Sequence, residues 1–282
     1  MVLALAMPAN AEAWGFAVHR FITARAIDLL PAEIRPFFEK FRAEIVEHSI
    51  DADLWRTAGF EEEPPRHFLD MDAYGPYPFK LLPREFDEAV VRYGRDFVLD
   101  NGTLPWRAQE IHDKLTEAFT QKATYSRENI KFFSSVMSHY VADAHVPFHA
   151  AVNYDGQLTG QWGIHSRFET ELFERYEASL TVKPGVLVPV SGARDFVFDT
   201  LLVSFPLVQP VLDADKAAVA GRDAYDDQYF TLFFGKVRPI LERRLSDAVT
   251  HVASMIAAAW ERAGRPALPT EVPRVPRKVK RG

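Results

Sequence analysis

The sequence predicts an all-α protein: a single, mainly helical domain. Three observations predict it. Apolar residues recur at a spacing near 3.6 over most of the chain. Alternating β-branched runs of convincing strand length are missing, and the best strand candidate, VKPGVLVPV at 182–190, is interrupted by prolines. Proline, glycine and serine fall between the periodic stretches, where helices start and stop. A length of 282 residues allows one large or two small domains, and no internal repeat divides it.

The elements follow in order. Residues 20–30 carry apolar side chains at 21, 22, 26, 29 and 30, on one helical face. Pro31 and Pro36 punctuate the next helical segment, which runs to His48. Residues 60–84 are rich in proline, glycine and acids and read as a long irregular loop; it contains His67, Asp70 and Asp72, and long loops in compact domains are commonly functional. Helical patterns resume at 85–99, 105–121 and 127–146, and another begins at Ser166. Residues 190–262 are mostly helical with interruptions at Pro206, Pro210 and Gly221, and 226–263 forms a long amphipathic stretch ending at Gly264.

The two ends read differently. Residues 1–13 place a short apolar stretch, Val2 to Met7, before Ala11-Glu12-Ala13, a small-x-small pattern suited to signal peptidase. Cleavage after Ala13 makes Trp14 the first residue of an exported chain, periplasmic or secreted. Residues 265–282 combine prolines with six basic residues against one acid and read as a disordered basic tail. The domain is therefore expected over 14–264.

Composition narrows the function. With 48% hydrophobic and 26% charged residues the chain is globular, and no run of about 18 apolar residues suggests a transmembrane segment. The net charge of -6 argues against a broad basic face for duplex DNA. The absence of cysteine excludes disulfides, thiolate metal sites and cysteine nucleophiles. Any transition metal must be held by nitrogen and oxygen, from nine histidines and the acids.

Those residues are patterned. In HYVADAHVPFH, 139–149, His139 and Asp143 are four apart and share one helix face. His145 points elsewhere on that helix, and Pro147 redirects the chain before His149. In GIHSRFETEL, His165 and Glu169 form a second i, i+4 pair. Two such pairs close in sequence suit divalent metals. His67 in HFLDMD, and Asp51 and Asp53 in HSIDADLWR, are further candidates. The free amine and carbonyl of Trp14 would chelate a metal through a five-membered ring, which His19 would complete.

Taken in order, Trp-…-His, Asp, HF-x-D, HY-x-x-D-x-x-x-P-x-H and HS-x-x-E resemble the zinc-dependent phospholipases C of bacteria and the related three-zinc single-strand-specific nucleases. The resemblance covers roughly Trp14 to Glu169. It implies an all-α fold around a buried trinuclear zinc site. Asp53, His67, His139 and Asp143 would hold one zinc, and His149, His165 and Glu169 a second. The Trp14 amine and carbonyl with His19 would hold the third, bridged by Asp143. Asp53 is preferred because its spacing to His67 matches the family, with Asp51 as the alternative. His48, His112, His145 and His251 are not expected to be ligands.

Three zinc ions against three carboxylates leave a positive site suited to hydroxide and a phosphate-ester anion. The resemblance thus implies phosphodiester hydrolysis by metal-activated water. Asp53 is the residue to orient or deprotonate that water, and Arg56 the one to contact a phosphate oxygen. Phe68 either stacks on a base or lines a lipid groove. Glu169, the run HAAVNYDGQ and the lack of cysteine resemble the phospholipases, so a phospholipid head group is the expected substrate. The Trp14–His19 spacing and Arg56 resemble the nucleases, so a single-strand-specific nuclease or 3′-nucleotidase is the alternative. A zinc-binding protein without turnover is the third reading.

Overall fold

In the computed structural model, residues 15–120, 125–268 and 270 are described. Residues 1–13, expected to be a leader, and Trp14 lie outside the described residues. The chain begins with α1 (Phe16–Leu29), α2 (Arg35–Lys40), α3 (Arg42–Glu47) and α4 (Asp51–Thr57). After a largely irregular segment come α5 (Phe86–Tyr93), α6 (Arg95–Asp100), α7 (Leu104–Thr120) and α8 (Ser126–Asp143). The helical turn α9 (Ile164–Ser166) runs through a π-helical turn at Arg167–Glu171 into α10 (Leu172–Tyr176). α11 (Ala193–Ser204), α12 (Val208–Val219) and the 36-residue α13 (Asp227–Arg262) complete an all-α fold, with no strand among the described residues.

The central element is α8. From Ser134 to Asp143 every residue is buried, and the chain stays buried through Ala151. α7, α1, α3 and α13 pack around it. Ordinarily a helix buried on all sides is apolar all round. This one carries Ser134, Ser135, Ser138, His139 and Asp143 inside. Two of the serines are absorbed locally: Ser135 Oγ donates to Lys131 O, and Ser138 Oγ lies 2.9 Å from Thr23 Oγ1 on α1, whereas Ser134 Oγ makes no hydrogen bond among the described residues. His139 and Asp143 are left for another purpose.

Several expectations change in structure. The helix expected over 127–146 ends at Asp143, so His145 lies just beyond it rather than on it. The helix expected over 85–99 divides at Gly94, whose φ of +88° favours glycine. The 182–190 segment is extended but pairs with no strand. Its amides use side chains of α13 instead: Lys183 N donates to Ser246 Oγ, Gly185 N to Thr250 Oγ1 and Val188 N to Ser254 Oγ. Hydroxyls four residues apart along one helix face thus replace a strand edge.

The segment 193–219 holds no unbroken run of 18 apolar residues, as expected, but by length and a mean hydropathy of 1.4 over an 18-residue window it is apolar enough to cross a membrane. A 3-10 turn at Phe205–Leu207 containing Pro206 breaks it into α11 and α12. The inner faces of both, including Val197, Phe198, Leu201, Val211 and Leu212, belong to the core. Residues 265–268 and 270, expected to open a disordered tail, instead lie on the body. Trp260 Nε1 donates to Pro266 O, Leu268 packs against the core, and Lys40 Nζ donates to Thr270 O. The rest of the basic tail lies outside the described residues.

Candidate metal centre

Six elements deliver buried histidines and acids to one place. α1 supplies His19 and α4 supplies Asp53. A 3-10 turn at Pro64–His67 ends in His67, and the buried half of α8 carries His139 and Asp143. The 3-10 turn Pro147–Ala150 presents His149, and the α9 segment presents His165 and Glu169. The π-helical turn around Glu169 widens that segment locally, a distortion that recurs at functional sites. All eight side chains are at least 94% buried.

Donor atoms fall into three groups, each within 4.8 Å: His19, Asp53 and His139; His67, His139 and Asp143; and His149, His165 and Glu169. In the middle group His67 Nδ1 is 3.0 Å from Asp143 Oδ2 and 3.1 Å from His139 Nε2, and His139 Nε2 is 3.4 Å from the same carboxylate oxygen. Asp53 Oδ1 lies 3.9 Å from both rings. His19 Nε2 sits 3.4 Å from Asp143 Oδ1 and 4.0 Å from Asp53 Oδ2, and its ring stacks on His139 at 3.8 Å. The first two groups therefore share His139 and lie against each other. In the third, Glu169 Oε2 is 3.1 Å from His165 Nε2 and 3.9 Å from His149 Nε2.

The polar bookkeeping tests whether a cation fits. Buried polar groups are ordinarily hydrogen-bonded. Here both ring nitrogens of His19 and of His165, and Nε2 of His67, are buried without a hydrogen bond among the described residues. Desolvation, with the neighbouring histidines, holds His19, His67 and His149 well below the ordinary imidazole range. Desolvation also pushes His139 down to about 3 and His165 to about 4. Their lone pairs are thus available at neutral pH. Desolvation, then Asp53 and Glu169, holds Asp143 well above the carboxylate range. Neutral imidazoles beside carboxylates that repel one another form a donor set for a hard or borderline divalent metal.

Outer contacts orient the rings. His139 Nδ1 donates to Ser49 O at 2.9 Å and His149 Nδ1 donates to His67 O at 2.6 Å, so each turns its Nε2 lone pair toward the acids. The segment carrying His67 is itself pinned by the backbone. Thr103 N donates to Pro65 O, Leu104 N to Phe68 O, Asp70 N to Asn101 O and Leu69 N to His149 O. Asp155 accepts from Gly163 N and His165 N, fixing the start of the segment that bears His165.

A cleft of about 520 Å³ opens onto the centre. Arg56, Thr57, Pro64, Phe68, Asp70, Asp100, Phe148 and Tyr154 line it beside His67, His149 and His165. Arg56 is not the solvent-facing charge its place on α4 allows: its side chain is 18% exposed, and Nη2 pairs with Asp53 Oδ1 at 3.1 Å. Its charge also helps lower the histidines of all three groups. Burial, and then Asp72, pushes Asp70 up to about 7.

The structure therefore brings together all eight described residues expected as ligands, with Arg56 and Phe68 at the cleft. Asp51 stays out, accepting from His48 Nδ1 at 2.9 Å. His145 pairs instead with His251, Nε2 to Nδ1 at 2.9 Å. Sequence reasoning missed Asp155 and Glu63. Asp155 acts as a backbone cap, which has no signature in residue type, whereas Glu63 stands at i−4 from His67 and was findable by that spacing.

No family model matches this chain, and no curated protein matches it. Among solved structures it is similar to the Clostridium perfringens alpha-toxin of an avian strain, with a TM-score of 0.53 and 12% sequence identity. The likeness covers 92% of this chain and 66% of that one, so the chain spans about two thirds of the toxin's length. At that identity the likeness is one of fold.

Proposed function

We propose that the chain is an exported zinc-dependent phosphoesterase, phospholipase C-like, that hydrolyses a phosphodiester. The observation that carries this reading is the triple group of buried histidines and acids at the floor of a cleft. The sequence motifs and the shared fold support it at a coarser level. His67, His139, Asp143 and Asp53 would hold one zinc, and His149, His165 and Glu169 another. His19 with Trp14 would hold the third, sharing Asp143. Zinc held there supplies Lewis acidity and a hydrolytic nucleophile near neutral pH.

The chain's own residues set up the rest. Arg56, in the cleft wall and paired with Asp53, would bind a non-bridging phosphate oxygen and so align the ester. Asp53 would orient the attacking water and accept its proton. Burial keeps bulk water from competing with these contacts.

The cleft favours the phospholipase branch. Asp70 and Asp100 stand beside Phe68, Phe148 and Tyr154, a lining that suits a compact head group bearing a cation. The same acids oppose a polyanionic strand. Arg56 and Phe68 support the alternative, a single-strand-specific nuclease or 3′-nucleotidase, by phosphate contact and base stacking. An activity panel decides. Phosphocholine release from phosphatidylcholine supports the phospholipase reading, and phosphate or nucleotide release from single-stranded DNA or RNA supports the nuclease. Stoichiometric zinc with turnover of neither supports a zinc-binding protein.

A further inference from the structure

Glu63 is a buried carboxylate outside the three metal groups. It is 2% exposed and stands four residues before His67. Tyr140 donates its hydroxyl proton to Oε1, and Arg66 Nη1 donates to Oε2 at 2.8 Å. Arg107 Nε holds the Tyr140 hydroxyl from the other side at 3.3 Å. The carboxylate is thus locked beside the cluster by the residue that follows His139. Its Oε1 faces His67 Nε2 at 3.7 Å, and that nitrogen makes no hydrogen bond among the described residues.

Proton placement gives this contact a meaning. His139 Nδ1 donates to Ser49 O, so the neutral ring offers only a lone pair at Nε2. His67 Nδ1 faces that lone pair at 3.1 Å and Asp143 Oδ2 at 3.0 Å. The His139 Nε2 lone pair can only accept, which places the His67 proton on Nδ1 as long as no cation intervenes. A metal among these residues needs the Nδ1 lone pair, so the proton must then sit on Nε2. A buried Nε2–H requires an acceptor, and Glu63 Oε1 is the group that faces it.

We propose that Glu63 is the positioning residue of His67, receiving the Nε2–H and so selecting the tautomer that turns Nδ1 to the metal. This rests on the metal-centre reading above. A carboxylate behind a histidine ligand fixes ring orientation and raises ligand basicity, and its loss typically lowers metal affinity about 10–100-fold.

The test uses the full chain labelled with 15N-histidine. Long-range 1H–15N NMR should report His67 protonated at Nδ1 without zinc and at Nε2 with zinc. In Glu63→Gln, competition with a chelator should show one zinc per chain bound about 10–100-fold more weakly, the other ions held as before. Circular dichroism of the metal-free variant should match that of the parent. If Glu63→Gln does not fold, Tyr140→Phe removes the hydroxyl that fixes Glu63 and should weaken the same zinc several-fold. Overturning results are Nδ1 protonation in the zinc-loaded protein, or affinity unchanged within about twofold in the variant that folds. A parent chain that binds no zinc overturns the metal-centre reading itself, and this proposal with it.

Discussion

His149 donates a 2.6 Å hydrogen bond from its Nδ1 to the backbone carbonyl of His67. One residue thereby serves two of the donor groups: the His67 side chain belongs to the middle group, and its carbonyl orients a ring of the third. The two groups cannot move independently, because the short stretch from Pro65 to Asp70 is common to both. That stretch is in turn held by the turn at Asn101–Leu104.

Gly102 is where this coupling is most exposed to substitution. Its φ is +90°, and a Cβ there would lie 2.2 Å from Phe68 O. Gly102→Ala must push back the backbone beside His67, at a strain of about 1–3 kcal/mol. The expected outcome is metal loss from more than one site together with a lower Tm. Elemental analysis and thermal unfolding check it; loss of a single ion would show that the groups are uncoupled.

Much of this arrangement is legible in residue type and spacing. The i, i+4 pairs His139/Asp143 and His165/Glu169 need only helical periodicity, and both meet in space as drawn. What the sequence does not carry is backbone chemistry. The Ser49 and His67 carbonyls that orient the rings have no residue signature. The 182–190 segment looks like a strand because its residues are β-branched, and only the hydroxyls at 246, 250 and 254, far along the chain, explain its extended course without a partner strand. The end of α8 at Asp143 likewise follows from the turn leading to Pro147, not from propensity.

His145 and His149 are four apart but have separate fates. His145 Nδ1 donates to Val141 O, and its Nε2 meets His251 Nδ1 at 2.9 Å. His145→Ala should lower Tm and leave the metal content of the protein unchanged. His149→Ala should reduce bound metal by about one ion. Equal metal contents in the two variants would contradict the assignment.

Gly15 packs directly on the segment carrying Glu169. An added Cβ would lie 2.6 Å from Thr170 Cγ2 and 2.7 Å from Thr170 Oγ1. Threonine is stiff at χ1 and yields little. Gly15→Ala should cost about 1–3 kcal/mol by overpacking. Adding Thr170→Ala should recover most of it, because Thr170 Oγ1 makes no hydrogen bond among the described residues. Unfolding of the two variants and the parent gives the comparison.

His112 sets an acid limit away from the centre. It is 3% exposed, neither ring nitrogen is hydrogen-bonded among the described residues, and desolvation pushes its pKa down to about 4. The folded state therefore refuses a proton that the unfolded state takes at about 6.5. Its contribution to stability is complete above 6.5 and is lost as pH falls toward 4, on the order of 3 kcal/mol. His112→Leu should flatten the fall in stability over that window and raise stability at pH 5. An unchanged pH profile of denaturant unfolding would contradict it.

The amine of Trp14 is available only when residues 1–13 are gone, so the measurement that bears most directly on the centre uses protein beginning at Trp14. Elemental analysis of that protein, purified without chelator, should find about three zinc ions per chain. One ion or fewer would contradict a trinuclear centre built from these residues.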